Sequence, residues 1–470
     1  MTEVGSQVER EQSNTLAKGP FQRFLRTIGP GFITGASDDD PSGIGTYSQA
    51  GAQLGFNIGW VMLFTFPLMA AIQEIAARIG RTTGKGISGN LTRHYPPSLL
   101  YAVVTLLFVA NVINIGADLS AMADALKLLV GGPSPLYVIA FAVVCISAIV
   151  FLDYTRYVKV LKWTTLSLFA YVAAMLAANV PWVDAAKGLF VPHIEWSGAF
   201  FTTLLAILGT TISPYLFFWQ ASQEVEEEEL KPTARPLRWA PWQASRAFRR
   251  IRADTLVGMA FSNLIAIAII FTTAATLHKA GVTDIASSTD AAKALEPAAG
   301  KFAFIVFSAG IIGTGLLAVP VLAGSAAFAV GEALRWPVGL QRKPKEAVAF
   351  YATLTAATVL GTGIMFTPID PIEALYWSAV INGVCAVPVM VVMMLMAARR
   401  DVMGEFPMQG WLRALGWLST LTMAASSVGL AAQWFYSSPY KEAAAPPYCQ
   451  PRLHRRTRSI TIDVCGGTAA

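Results

Sequence analysis

Eleven apolar segments run through this 470-residue chain, at about 28–55, 58–78, 98–126, 136–153, 163–181, 199–222, 254–278, 302–334, 346–364, 372–397 and 411–436. Each is long enough to span, or nearly span, the ~30 Å hydrocarbon core of a bilayer. Only 14% of the residues are charged, against about 25% in soluble domains. The deficit in charge points to lipid rather than to a larger water-soluble core. The polar segment 1–27 lacks the apolar stretch and cleavage site of a signal peptide. Residues 437–470, with Pro, Arg and Ala and no helical period, read as a disordered tail.

Lys and Arg partition sharply between the connections. The N-terminal segment and the even-numbered loops carry 25 of the 35, the odd-numbered loops only Lys127, Lys187, Lys279, Lys293 and Lys301, and the tail the last five. That bias places the N-terminus in the cytoplasm and, after eleven spans, the C-terminus outside. A multi-pass protein of the cell membrane is expected. The net charge of +6 therefore sets topology and needs no nucleic-acid partner. Enzyme chemistry has little support: HExxH, GxSxG and Walker A patterns are absent, and His94, His193, His278 and His454 are scattered. Four cysteines without CxxC spacing argue against a disulfide scaffold or a zinc site. No cofactor is implied. The oligomeric state is open, and a monomer is compatible with the sequence.

Two spans carry chemistry. The first contains GPGFITGASDDDPSGIGTYSQAGA (29–52), with Asp38, Asp39 and Asp40 directly before Pro41. Each carboxylate costs ~2.5–3.5 kcal/mol at the middle of a spanning helix, so all three should face protein or water. Pro41 removes a backbone donor, and Gly43 and Gly45 weaken the helix around it. The sixth span contains LGTTISPYLFFWQASQEVEEE (208–228), with Thr210, Thr211 and Ser213 clustered before Pro214. Taken alone this is an ordinary proline kink. The two breaks nevertheless occupy equivalent places, each leading a set of five helices, and an odd repeat inverts the second set in the membrane. Interrupted segments in corresponding halves point to an inverted-repeat transporter with a midplane site. An all-α fold follows, of about 11 transmembrane helices with broken helices 1 and 6. The transporter domain is 28–436, with repeats at about 28–181 and 199–397 and an extra helix at 411–436. Carbonyls freed at the breaks would face a cation, and the carboxylates would neutralise it. The physics alone leaves a cation transporter, a channel and a cation-coupled symporter of a small solute open, although a carboxylate cluster suits an anionic or zwitterionic solute poorly.

GPGF, DPSG, QAGA, QEIAARIG and GTGLLAVPVLAGSAAFAVGEA (313–333) resemble the NRAMP family of divalent-metal transporters over roughly 25–436. That resemblance implies a five-plus-five inverted repeat and a metal site at the two breaks. Asp40 aligns with the family's carboxylate ligand, and Thr210 with a position that offers its backbone carbonyl. The chain departs from the family elsewhere. Asp-Pro-Gly-Asn becomes Asp40-Pro41-Ser42-Gly43, so Gly43 offers at most a carbonyl. Met-Pro-His becomes Ser213-Pro214-Tyr215, which replaces a thioether by a hydroxyl and leaves only hard oxygen donors. A roomy oxygen site suits Mg²⁺, which dehydrates reluctantly, and Mn²⁺ tolerates it too. DPSG with TTISPY is similar to the NRAMP-related magnesium transporters. Asn382 lies near the family's Gln ligand. Proton coupling is expected to be lost, because Tyr215 replaces His and Asp118 keeps only the first position of an Asp-x-x-Glu pair, Ala121 standing at the second. The alternative is a proton-coupled Mn²⁺/Fe²⁺ transporter.

The remaining polar residues carry plainer expectations. Asp38 and Asp39 line the cation pathway or hold waters beside the site. Asn111, Asn114 and Asn263 bond neighbouring helices. Glu74 pairs with Arg78 and Glu332 with Arg335. The segment 223–252, EVEEEEL followed by a basic stretch, is a solvated cytoplasmic extension of the sixth helix or, less simply, a regulatory cation-binding patch.

Overall fold

The computed structural model describes residues 30–151, 168–285, 287–296, 300, 303–367 and 369–437. The expectations for 1–27 and for the tail beyond 437 lie outside the described residues, as does the start of the fifth span. Among the described residues there are helices and no strands.

In chain order the helices are α1 (Pro30–Asp38), α2 (Pro41–Leu54), α3 (Trp60–Thr83), α4 (Ile87–His94), α5 (Pro97–Val130), α6 (Ser134–Phe151), α7 (Phe169–Ala177), α8 (Trp182–Phe190), α9 (Gly198–Thr211), α10 (Pro214–Glu229), α11 (Ala244–Thr273), α12 (Ser288–Lys293), α13 (Ala303–Ala333), α14 (Val348–Thr362), α15 (Pro371–Ala398), α16 (Arg400–Met403) and α17 (Gly410–Ser437). Eight helical stretches are long and apolar enough to cross a membrane, with α9 and α10 counted as one. Of the other three expected spans, α14 is shorter, the first is split into α1 and α2, and the fifth lies partly outside the described residues. Val109, Ile139, Val143, Val359, Leu421 and Val428 are about half exposed or more, an apolar exterior that lipid rather than water would cover.

Both interruptions fall at the prolines. Pro41 and Pro214 open α2 and α10, where a missing N–H costs nothing because first-turn donors have no intrahelical partner. Asp40 and Ser213 before them are extended (φ −70°, ψ 173° and φ −74°, ψ 135°). The halves are crossed: α1 packs on α10, and α2 packs on α9. The two broken segments therefore run antiparallel, as an inverted repeat requires.

Glycines let the broken helices approach their neighbours. Gly35 of α1 faces the backbone of Gly258 on α11 so closely that a Cβ would clash, and Gly209 of α9 does the same against Ala379 and Gly383 of α15. Small residues at such crossings allow packing to hold helices together where lipid supplies no hydrophobic drive. The Gly31 N–H also donates to Asp254 Oδ2 at 2.7 Å.

The acidic run departs from expectation. α10 continues through Glu229, as an extension of the sixth helix should, but Glu224, Glu226 and Glu228 are buried rather than solvated. Glu228 accepts from Arg81 of α3 at 2.6 Å, Glu224 and Glu227 accept from Arg250 of α11, and Glu226 accepts from the Leu340 N–H. Protein groups thus engage Glu224, Glu226, Glu227 and Glu228, although Glu224 Oε1 keeps no hydrogen-bond partner. Glu74 pairs with Arg78 as expected. Glu332 does not pair with Arg335; it accepts the Gly86 and Gly89 N–H groups (2.9 and 2.8 Å) and so caps α4. Free N–H groups at a helix start, with the dipole behind them, attract a carboxylate more firmly than an exposed guanidinium does.

Candidate metal site

Asp40 sits in the first break, 1% exposed, and divides its two oxygens. Oδ1 accepts the Gly43 N–H at 2.7 Å and caps α2. Oδ2 accepts from Asn114 Nδ2 of α5 at 3.2 Å and from the Tyr215 hydroxyl of α10 at 3.3 Å. That hydroxyl also lies 3.1 Å from the Ser37 carbonyl at the end of α1. Tyr215 thus bridges the two broken helices.

Asn114 extends the cluster in two directions. Its Nδ2 also donates to Asp118 Oδ2, one turn along α5, at 3.2 Å, and its Oδ1 accepts from Asn382 Nδ2 of α15 at 2.9 Å. Asp118 Oδ1 and Asn382 Oδ1 are buried without a hydrogen-bond partner. Unpaired buried oxygens are costly, and these two are available to a cation or its waters.

The second break lies opposite the first. A Cβ on Gly43 would stand 3.3 Å from Thr210 Oγ1 and 3.1 Å from the Asp38 carbonyl, so any side chain there would crowd the gap. Ser213 Oγ is within donating distance of the Gly209 and Thr210 carbonyls (2.6 and 2.9 Å), which ties the hydroxyl to the unwound turn. Asp40, Gly43, Thr210, Ser213, Tyr215, Asp118 and Asn382 are therefore brought to one region between α2, α5, α10 and α15.

Asp38 and Asp39 face elsewhere. Both carboxylates take Ser262 of α11 as partner, Asp38 Oδ2 at 2.5 Å and Asp39 Oδ1 at 3.2 Å, and each keeps one buried oxygen unpartnered. The triplet does not converge on one point. Among the described residues no three His, Cys, Asp or Glu side chains form a metal cluster. The acceptors brought together are instead oxygens, the Asp40 carboxylate with the unpartnered Asp118 Oδ1 and Asn382 Oδ1, while Asn114 Nδ2, the Tyr215 hydroxyl and the Ser213 hydroxyl donate within the cluster. Oxygen acceptors of this kind are the type that suits a hard cation with part of its water shell.

Asn114 bonds neighbouring helices as expected, joining α5 to the start of α2 and to α15, but its place as hub of the cluster was not read; its signal was the four-residue spacing from Asp118, which puts both on one helix face. Ser262 had no signal in the sequence. Asn111 does act as glue, donating to the Leu322 carbonyl of α13 at 2.9 Å.

The chain matches the family model for "Natural resistance-associated macrophage protein-like" proteins over residues 31–433. It is 25% identical over 426 residues to a divalent metal cation transporter of Pectobacterium carotovorum, covering 88% of this chain and 95% of that protein. A divalent metal cation transporter of Deinococcus radiodurans is also 25% identical, over 86% of this chain and 89% of its own. Among solved structures, the manganese transporter of Eremococcus coleocola superposes with a TM-score of 0.69 at 16% identity, covering 91% of both chains. A nucleobase-cation-symport family transporter superposes with a TM-score of 0.55 at 13% identity, over 90% of this chain and 94% of that one. These two likenesses concern the fold.

Proposed function

This chain belongs to the natural resistance-associated macrophage protein-like family, and from that premise we propose that it carries divalent metal cations across a membrane, Mg²⁺ foremost and Mn²⁺ alongside. The relatives, transporters rather than enzymes, support the coarser part of this reading. The choice of ion rests on one observation: the acceptors about the first break are all oxygen, Asp40 Oδ2, which Asn114 Nδ2 and the Tyr215 hydroxyl orient by donating to it, and the unpartnered Asp118 Oδ1 and Asn382 Oδ1.

Asp40 is the principal ligand, direct or through water, with the Thr210 carbonyl, Ser213, Asn382 and the Gly43 backbone completing the site. Asn114 orients Asp40 and Asn382. Asp38 and Asp39 lend negative potential from the α11 side. Transport is uncoupled from protons: helix α5 carries Asp118 with Ala121 at the second position, and Tyr215 replaces an imidazole by a phenol with an ordinary pKa near 10. An inside-negative potential supplies about 4.6 kcal/mol per 100 mV to a divalent ion, sufficient drive for uptake. The N-terminus is cytoplasmic and the C-terminus outside, in the cell membrane.

Competition tests the ion choice. In proteoliposomes holding the full chain, excess external Mg²⁺ should suppress Mn²⁺ uptake, and Ca²⁺ should do so less. Mn²⁺ uptake indifferent to Mg²⁺ would restore a transition-metal-selective, proton-coupled transporter.

A further inference from the structure

A cavity of about 280 Å³ opens where α4, the start of α5 and the end of α13 meet, lined by Thr92, Tyr95, Leu100, Tyr101, Leu334 and Arg335 with Pro97 and Ala333. It lies far along the chain from either break, among the loops whose positive charge marks the cytoplasmic side. Its lining mixes polar and apolar side chains. Tyr101 of α5 and Leu334, in the turn after α13, are 51% and 43% exposed.

Arg335 holds an unusual position. Its φ is 59°, and the Trp336 N–H returns to the Gly331 carbonyl at 2.8 Å, so it fills the left-handed place that closes a helix and ordinarily belongs to Gly. It is the one non-glycine residue with positive φ among the described residues. Its expected carboxylate partner, Glu332, is turned away to cap α4. No ion pair of Arg335 is found among the described residues, and the Tyr95 hydroxyl beside it is buried without a hydrogen bond. Arg399 stacks over the Tyr95 ring, 5.2 Å from its centroid, and is itself paired with Asp401, so Arg335 is the cation left to the cavity.

We propose that this cavity binds the phosphate of an anionic phospholipid headgroup. Arg335 supplies the charge, and the Tyr95 hydroxyl donates a hydrogen bond. Leu100, Tyr101 and Leu334 cover the glycerol and the first acyl carbons. Cationic pockets between spanning helices on the cytoplasmic side suit such headgroups, and tyrosine suits the boundary between headgroup and chain. Occupancy would brace α13 against α4 and α5. The inference rests on the membrane reading and its orientation, and its readout is binding, so its failure leaves the transport reading intact.

Native mass spectrometry of the purified full chain in detergent tests it, with phosphatidylglycerol, phosphatidylcholine and inorganic phosphate as probes. The wild type should retain several-fold more phosphatidylglycerol than phosphatidylcholine. Arg335→Asn, which tolerates the left-handed backbone, should remove that excess. Arg335→Lys should keep it, as should Arg342→Gln on the same loop outside the cavity. An unchanged excess in Arg335→Asn, or an equal loss in Arg342→Gln, overturns the proposal. Full displacement of the lipid by millimolar inorganic phosphate would assign the cavity to free phosphate and overturn it equally.

Discussion

Asp40 serves the fold with one oxygen and the site with the other. Its capping bond to Gly43 fixes the carboxylate, and Asn114 and Tyr215 aim the remaining oxygen. Removing an orienting group of this kind typically weakens metal affinity about 10- to 100-fold. Asn114→Leu should therefore lower apparent Mg²⁺ affinity by that order in transport assays, while the purified protein stays monodisperse. An unchanged affinity would return Asn114 to a packing role. Ser213→Met tests ligand hardness: a thioether in the unwound turn should raise Mn²⁺ uptake relative to Mg²⁺ by about tenfold. No shift in that ratio would mean Ser213 lies outside the ion's reach. The two breaks were legible because each proline stood beside a polar cluster, the aspartates before Pro41 and the Thr and Ser residues before Pro214; Pro67, Pro320 and Pro388, without such neighbours, lie inside α3, α13 and α15. The central place of Asn114 was not legible, because an asparagine in a spanning helix can bond whatever lies opposite, and a single sequence does not say what does.

Elements show the same division. The spans could be read from apolar length, and their ends could not. α10 runs to Glu229 and α11 begins at Ala244 because the charged residues there find partners in three dimensions. The acidic run looks solvated only while Arg81 and Arg250 are out of view. Arg81 bonds Glu228, the Arg235 carbonyl and Gln243, joining α3, α10 and the loop that leads to α11. Stripping one partner from a buried pair costs about 3–5 kcal/mol. Arg81→Met should lower the thermal midpoint markedly, and pairing it with Glu228→Gln should recover part of the loss. Additive losses in a double-mutant cycle would show that the pair is not coupled. Glu332 illustrates the converse error, since proximity in sequence to Arg335 suggested a partner that the helix start at Gly86 outcompetes.

At the scale of the molecule, two antiparallel broken helices enclose a polar centre while apolar side chains cover the outside. The inverted arrangement was foreseeable from the positions of two prolines and the parity of five helices. The division of the aspartate triplet, with Asp38 and Asp39 on Ser262 and Asp40 on Asn114, depends on how α1 packs against α11 and is visible only in the fold. Together these features underlie the proposal of a passive path for a hard, partly hydrated ion. The most direct measurement is Mg²⁺ influx into proteoliposomes with the internal pH monitored and Asp40→Ala as control. Mg²⁺ entry that follows the membrane potential, leaves internal pH unchanged and disappears with Asp40→Ala is the predicted result. Entry of Mn²⁺ alone, with acidification inside, would contradict it.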